Sequence, residues 1–286
     1  MNQASPLRYP GGKAAMAGLL GQIRKLNGLG SYSVAEPFAG GAGASLSLLF
    51  REETSEIHIN DADVAIYDFW WSLTNRPEQF SKLLKKTRVS MAEWRRQRDT
   101  YRSNDGRLSR LTRGFSAFYL NRCNRSGIIM NGGPIGGIHQ TGDWLIDARF
   151  NKEELHRRCQ KIAEYRDRIF VTDKDGIDFV KDQDASRTFY FIDPPYFEKG
   201  KTLYLNALDK EYHKRLAYQL RSMANNAWVL TYDDCREIRQ LYRGWATIRP
   251  FGLRYAASER RSGSEIMIIP KWMKLPQTQK SEAIDW

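Results

Sequence analysis

The chain has 286 residues, and 45 Lys and Arg against 33 Asp and Glu leave a net charge of +12. Hydrophobic residues at 41% and aromatics at 12% exclude a disordered or low-complexity chain, and the length suits one large or two modest domains. No apolar stretch approaches the about 18 residues of a membrane span, no signal core precedes Lys13, and Cys123, Cys159 and Cys235 form no CxxC pair. We therefore expect a cytoplasmic protein with no membrane segment, disulfide framework or metal site.

The first motif in chain order is Leu7-Arg8-Tyr9-Pro10-Gly11-Gly12-Lys13. Its glycines let Lys13 approach a ligand, where the ammonium suits a carboxylate or phosphate, although the spacing of a phosphate-binding loop is absent. A β-prone run, Tyr32–Glu36, leads into Pro37-Phe38-Ala39-Gly40-Gly41-Ala42-Gly43 and an apolar helix over Ala44–Phe50. This strand, glycine turn and helix would lie where open α/β sheets bind ligands, beyond the carboxyl ends of the strands. A second strand, Glu56–Asn60, ends at Asp61, twenty positions beyond Gly41. A carboxylate there can accept hydrogen bonds from both ribose hydroxyls of a nucleoside-like cofactor. A helix begins near Asp63, its N-cap.

From about Leu83 to Tyr165 the composition changes. Residues 88–125 hold ten arginines against Glu93, Asp99 and Asp105, a net +7, and a glycine-rich loop, Gly132–Gly142, follows. Arg122, Asn124 and Arg125 are types that reach phosphates or base edges, whereas Phe115, Phe118 and Tyr119 read as core. A solvated helix face would carry the same arginines; a place between two ligand motifs favours phosphates.

Strands return at Arg168–Thr172 and Thr188–Ile192, and the second runs into Asp193-Pro194-Pro195-Tyr196. Two prolines cannot continue a central strand, so the chain leaves the sheet at its carboxyl edge. The tetrapeptide gathers a carboxylate, proline carbonyls and an aromatic ring. Such a group suits an exocyclic amine: Asp193 and a carbonyl each accept one N–H, Tyr196 stacks on the base, and the nitrogen lone pair stays free to attack a methyl group. A helix over Lys210–Asn225, a strand at Trp228–Thr231 and a helix over Cys235–Tyr242 come next. Two strands, Ala246–Phe251 and Glu265–Ile269, close the pattern, with the basic loop Arg254–Ser264 as a second backbone clamp. The whole reads as an open α/β sheet interrupted by a basic insert.

Taken in order, Arg8-Tyr-Pro-Gly-Gly-Lys13, Glu36-Pro-Phe-Ala-Gly-Gly-Ala-Gly43, Asn60-Asp61, Phe118-Tyr-Leu-Asn-Arg122 and Asp193-Pro-Pro-Tyr196 resemble the Dam-type adenine DNA methyltransferases of the alpha group, from Leu7 to about Ile269. The resemblance implies an α/β, Rossmann-like S-adenosylmethionine-dependent core of residues 1–64 and 166–286, with an inserted, mainly helical target-recognition subdomain over 65–165. It implies methylation of adenine N6 in double-stranded DNA by base flipping, with Asp193, Pro194, Pro195 and Tyr196 as the catalytic loop. Cofactor contacts fall on Tyr9, Lys13, Phe38, Asp61 and Asp193, with Asp175 near the cofactor adenine. DNA contacts fall on Arg95, Arg96, Arg122, Asn124, Arg125, Ser126 and Met130. A cognate restriction endonuclease is a partner that this resemblance allows, and the oligomeric state is left open. Cytosine-N4 methylation, for which Ser more often stands where Asp193 is, RNA methylation and an inactive, methylase-derived DNA-binding protein are the competing readings. One position departs from the family pattern: Met130 stands where enzymes reading GATC carry an arginine suited to guanine, so we expect a different or relaxed target.

Overall fold

A computed structural model describes residues 4–8, 13–103, 106–197, 208–253, 265–277 and 284–285. In chain order the elements are α1 (Ala17–Leu26), β1 (Ser33–Glu36), α2 (Gly43–Phe50), β2 (Ile57–Asn60), α3 (Val64–Asn75), α4 (Pro77–Lys86), α5 (Met91–Arg102), α6 (Arg110–Cys123), α7 (Lys152–Glu164), β3 (Ile169–Thr172), α8 (Gly176–Asp182), β4 (Thr188–Ile192), α9 (Lys210–Ser222), β5 (Ala227–Asp233), α10 (Arg236–Tyr242), β6 (Ala246–Leu253), β7 (Glu265–Pro270) and β8 (Ile284–Asp285). They group into two compact units, one of Met1–Gly12 and Asp61–Asp173, the other of Lys13–Asn60 and Lys174–Trp286.

In the second unit the strands run in the order β2-β1-β4-β5-β7-β6-β8. β2, β1, β4 and β5 are mutually parallel, and β7, β6 and β8 add in antiparallel fashion. From β1 the chain goes outward to β2 on one side and later to β4 on the other, so the carboxyl ends of β1 and β4 flank a topological switch point. β4, β5 and β7 are buried along their whole length, as strands covered on both faces must be. This is the Rossmann-like sheet expected of the sequence. One core cluster joins Tyr190 and Ile192 of β4 to Trp228, Leu230 and Tyr232 of β5, and Tyr212, Leu216 and Leu220 of α9 to Ile238 of α10. Residues of opposite parity on β5, among them Thr231 and Asp233, point away from that cluster.

A single amide ties the loops at this edge. Asn60, 1% exposed, donates from Nδ2 to the carbonyls of Pro37 and Lys174 (both 2.9 Å), and its Oδ1 accepts from the Lys174 N–H at 2.8 Å. The turn after β1 is further held by the Ala39 N–H on the Asn60 carbonyl at 2.9 Å, and Ala42 is forced to φ 46 just before α2.

The first unit is helical around an aromatic core. Phe69, Phe80, Phe115, Phe118 and Phe150 pack ring against ring, with Phe69 and Phe118 stacked at 5.8 Å. Gly114 lets α6 approach α3 closely, since a Cβ there would lie 2.5 Å from the Asp68 carbonyl. Asp63 caps α3 by accepting from the Ala65 and Ile66 N–H groups, and Ser90, Ser109 and Asn151 cap α5, α6 and α7 in the same way.

The boundaries of this unit differ from those expected. It extends over Asp61–Asp173 rather than 65–165, and it takes in the N-terminal residues through Gly12. The cause is Asn121, fully buried, whose Oδ1 accepts from the Arg8 N–H (2.7 Å) while Nδ2 donates to the Arg8 carbonyl (2.6 Å) and the Gly127 carbonyl (2.9 Å). The N-terminal motif is thus divided, with Arg8 in one unit and Lys13 in the other. No helix among the described residues is long and apolar enough to cross a membrane.

Candidate active site

Asp193 leaves the carboxyl end of β4, and Lys13 opens a short 3-10 turn, Lys13–Met16, ahead of α1. The Lys13 side chain, 4% exposed, donates to the Tyr196 hydroxyl at 2.7 Å. The same Nζ lies 3.4 Å from Asp193 Oδ1, 3.5 Å from Glu265 Oε2 and 4.9 Å from the centre of the Tyr196 ring. The sequence suggests a ligand carboxylate or phosphate for this lysine; the structure gives it two protein carboxylates and a phenol.

Glu265 arrives here because β7 is antiparallel. In the β5–β7 register Asp233 pairs with Glu265, so the first residue of β7 lies beside the last of β5, at the carboxyl edge of the parallel strands. Burial raises the Glu265 carboxyl, with Lys13 opposing that shift and Asp193 adding to it. Glu36, at the end of β1 and 5% exposed, is pushed up to about 8, mainly by burial; Ser45 opposes and the Asp193 charge adds. Its Oε2 has no hydrogen-bond partner among the described residues.

The loop that follows β4 is supported from β5. The Thr231 hydroxyl donates to Asp193 Oδ1, and Asp233 Oδ1 accepts from the Phe197 N–H at 3.1 Å. Behind them His213 Nδ1 meets the Tyr232 hydroxyl at 2.6 Å, and Phe197 packs edge-on to the His213 ring at 5.2 Å. Burial lowers His213, which favours the neutral imidazole. Glu36, Thr231, Asp233, His213 and Glu265 carry no role in the sequence reading. Thr231, Asp233 and Glu265 are signalled only by polarity in or at the end of an apolar run, Glu36 only by standing first in the glycine-turn motif, and His213, among the charged residues of α9, by nothing.

Phe38 is half-buried, edge-on to Tyr212 at 6.4 Å and against Gly176, where a Cβ would meet its ring at 2.4 Å. Asp61 Oδ1 accepts from the Asp63 N–H at 2.9 Å, a local turn ahead of α3. Asp175, expected near the cofactor adenine, is the N-cap of α8, accepting from the Ile177 and Asp178 N–H groups. Tyr9 and the basic loop 254–264 lie outside the described residues.

Residues 9–256 match the D12 class N6 adenine-specific DNA methyltransferases. The chain belongs to this family. It is an enzyme that methylates adenine N6 in DNA, and the match lends nothing to cytosine-N4 methylation or to an inactive binding protein. No curated protein matches the sequence.

Several side chains of the methyltransferase that were expected at DNA are engaged within the chain. Arg122 is 8% exposed and spends Nε and Nη2 on the Arg149 carbonyl; burial and neighbouring arginines lower it to about 9. Asn124, 1% exposed, accepts from Trp94 Nε1 at 2.7 Å and donates to the Ile128 carbonyl at 2.6 Å. Asn124 thus holds the turn after α6, and Arg122 ties α6 to the segment before α7; both side chains, expected at DNA, are engaged in the interior. Arg96 is exposed but engaged by Glu93 one helical turn back, at 2.9 and 2.5 Å. Arg113 and Arg110 face the fully buried Asp68, and Arg110 also stacks over Tyr67 and Trp71 at 5.2 and 5.1 Å. Arg95, Arg125, Ser126 and Met130 remain on the surface.

Proposed function

We propose that S-adenosylmethionine is the methyl donor and that the amine of a flipped adenine is received by Asp193 and the loop that follows it. The observation that carries this reading is the Lys13–Asp193–Tyr196 cluster at the carboxyl ends of β1 and β4. Three acidic side chains, Glu36, Asp193 and Glu265, gather there with one lysine, and a buried Glu36 oxygen has no hydrogen-bond partner among the described residues. That donor set fits a cationic group. When bound, the cofactor supplies an electrophilic methyl group on a sulfonium, whose sulfur keeps the electron pair of the broken bond as N6 gains the methyl and gives up a proton.

The chain's own residues supply position and charge. Asp193 accepts one N–H of adenine N6 and a proline carbonyl of the loop accepts the other, which aims the nitrogen lone pair. Lys13 acts through its contacts to Asp193 and Tyr196, and Tyr196 offers its ring face to the base. Phe38 borders the cofactor, and Asp61, joined directly to the last residue of β2, receives the ribose hydroxyls. Arg95 and Arg125, on the helical unit, contact phosphates of duplex DNA, with Ser126 and Met130 toward the bases. Asp193→Ala tests the centre of this reading: tritium transfer from labelled S-adenosylmethionine to DNA should vanish while DNA binding survives.

A further inference from the structure

We propose that Thr231 is a positioning residue for methyl transfer: with Lys13 it occupies Oδ1 of Asp193, and so leaves Oδ2 as the oxygen that meets adenine N6. The proposal rests on the role of Asp193 given above.

The β4–β5 register pairs Ile192 with Leu230, which sets the next residues of the two strands, Asp193 and Thr231, side by side. Thr231 is fully buried within Ala227–Asp233, a strand otherwise apolar up to its last residue. Valine would satisfy strand preference and packing there, so the hydroxyl is the feature that needs explaining. A buried hydroxyl requires a partner. This one donates to Asp193 Oδ1, with the Ile192 carbonyl at 3.5 Å as a weak second contact.

Lys13 Nζ approaches the same oxygen, at 3.4 Å. The Thr231 hydroxyl and the Lys13 ammonium both fall on Oδ1, and the Asp193 side chain is 24% exposed. Two donors on one oxygen, from opposite ends of the chain, fix the plane of the carboxylate. That plane decides where the N6 hydrogens sit and therefore where the lone pair points. Lys13 alone would hold the carboxylate by charge, which is weakly directional; the hydroxyl adds direction.

Thr231→Val removes the donor at nearly constant volume, and Thr231→Ser keeps it. Single-turnover methylation should slow by about tenfold to a hundredfold in the valine variant, a range typical of misplaced reacting groups. Dissociation constants for S-adenosylmethionine and for DNA should stay within about twofold, and serine should restore most of the rate. Thr231→Ala serves as the donor-free variant should valine fail to fold. A wild-type rate in a folded donor-free variant overturns the proposal. So does a rate loss matched by equal losses in both affinities and not rescued by serine, which would mark a purely structural threonine. Asp193→Ala separates the levels: an active Asp193→Ala enzyme removes the reading beneath the proposal, whereas an inactive one beside a full-rate Thr231→Val removes the proposal alone.

Discussion

Lys13 Nζ and Asp193 Oδ1 lie 3.4 Å apart, joining the chain ahead of α1 to the exit of β4. Both side chains are largely withdrawn from water, so each gains from the opposite charge beside it. The pairing also links the N-terminal glycine motif and the Asp-Pro-Pro-Tyr loop, which the sequence places far apart.

Removing that lysine should therefore damage catalysis more than cofactor capture. Lys13→Met is expected to lower the methylation rate constant by at least about tenfold. Calorimetry should show S-adenosylmethionine binding changed much less. A variant that binds S-adenosylmethionine far more weakly yet, once saturated, turns over normally would contradict this order of effects.

Asp61→Ala should weaken S-adenosylmethionine binding by roughly 1.5–3 kcal/mol, the range for hydrogen bonds to a charged group. The bond from the Asp63 N–H supplies only a local turn. Calorimetry on the free protein measures this directly, and an unchanged dissociation constant would reduce Asp61 to that turn.

Two arginines of the insert should behave in opposite ways. Arg95→Gln should lower DNA affinity alike on all sequences and reduce the log–log salt slope by about 0.9. Arg113→Gln should instead cost about 3 kcal/mol of folding stability, because it strips the fully buried Asp68 of its closest partner. Salt titrations and denaturant melts on the pair distinguish the two. Equal salt slopes for wild type and Arg95→Gln would remove Arg95 from the DNA surface.

Glu36 gives the folded protein a pH dependence of defined sign. Its carboxyl is raised from 4.5 to about 8, so between those values the folded chain holds a proton that the unfolded chain has lost. Stability from this group is present in full below 4.5 and falls as pH rises toward 8, by up to roughly 1.4 kcal/mol per pH unit. Glu265, also raised, acts in the same direction. Glu36→Gln should gain on the wild type in melting temperature as pH increases; parallel curves would show that Glu36 does not titrate in this range.

Met130 bears on the target sequence. It is 39% exposed and cannot offer guanine the two parallel donors of an arginine, a loss of about 1–3 kcal/mol in discrimination. DNA modified in cells by this enzyme should resist an endonuclease that cuts only methylated GATC. Complete cutting there, with no methyladenine at other sites, would refute the inference.

Much of this was legible in the residues. The glycine turn after Glu36, the Asp63 cap and the exit of β4 at Asp193 each follow from local chemistry, and each element lies within a few residues of its expected span. The supporting shell was not legible. Thr231 and Asp233 are marked only by polarity at the end of a strand, and Glu265 enters through an antiparallel pairing that no local pattern announces. The partners of the arginines were hidden for a related reason: composition counts charges, whereas Glu93, Asp68 and the Arg149 carbonyl engage several of them.

β7 carries Glu-Ile-Met-Ile-Ile-Pro and is buried at every position. A strand apolar on both faces has little in its hydrophobicity to oppose sliding by one residue, since either alignment puts aliphatic groups on both sides. Glu265 breaks that degeneracy. Displaced by one position, its carboxylate would lose Lys13 and lie unpaired in the interior. The carboxylate beside Lys13 thus also acts as an alignment peg for β7 against β5.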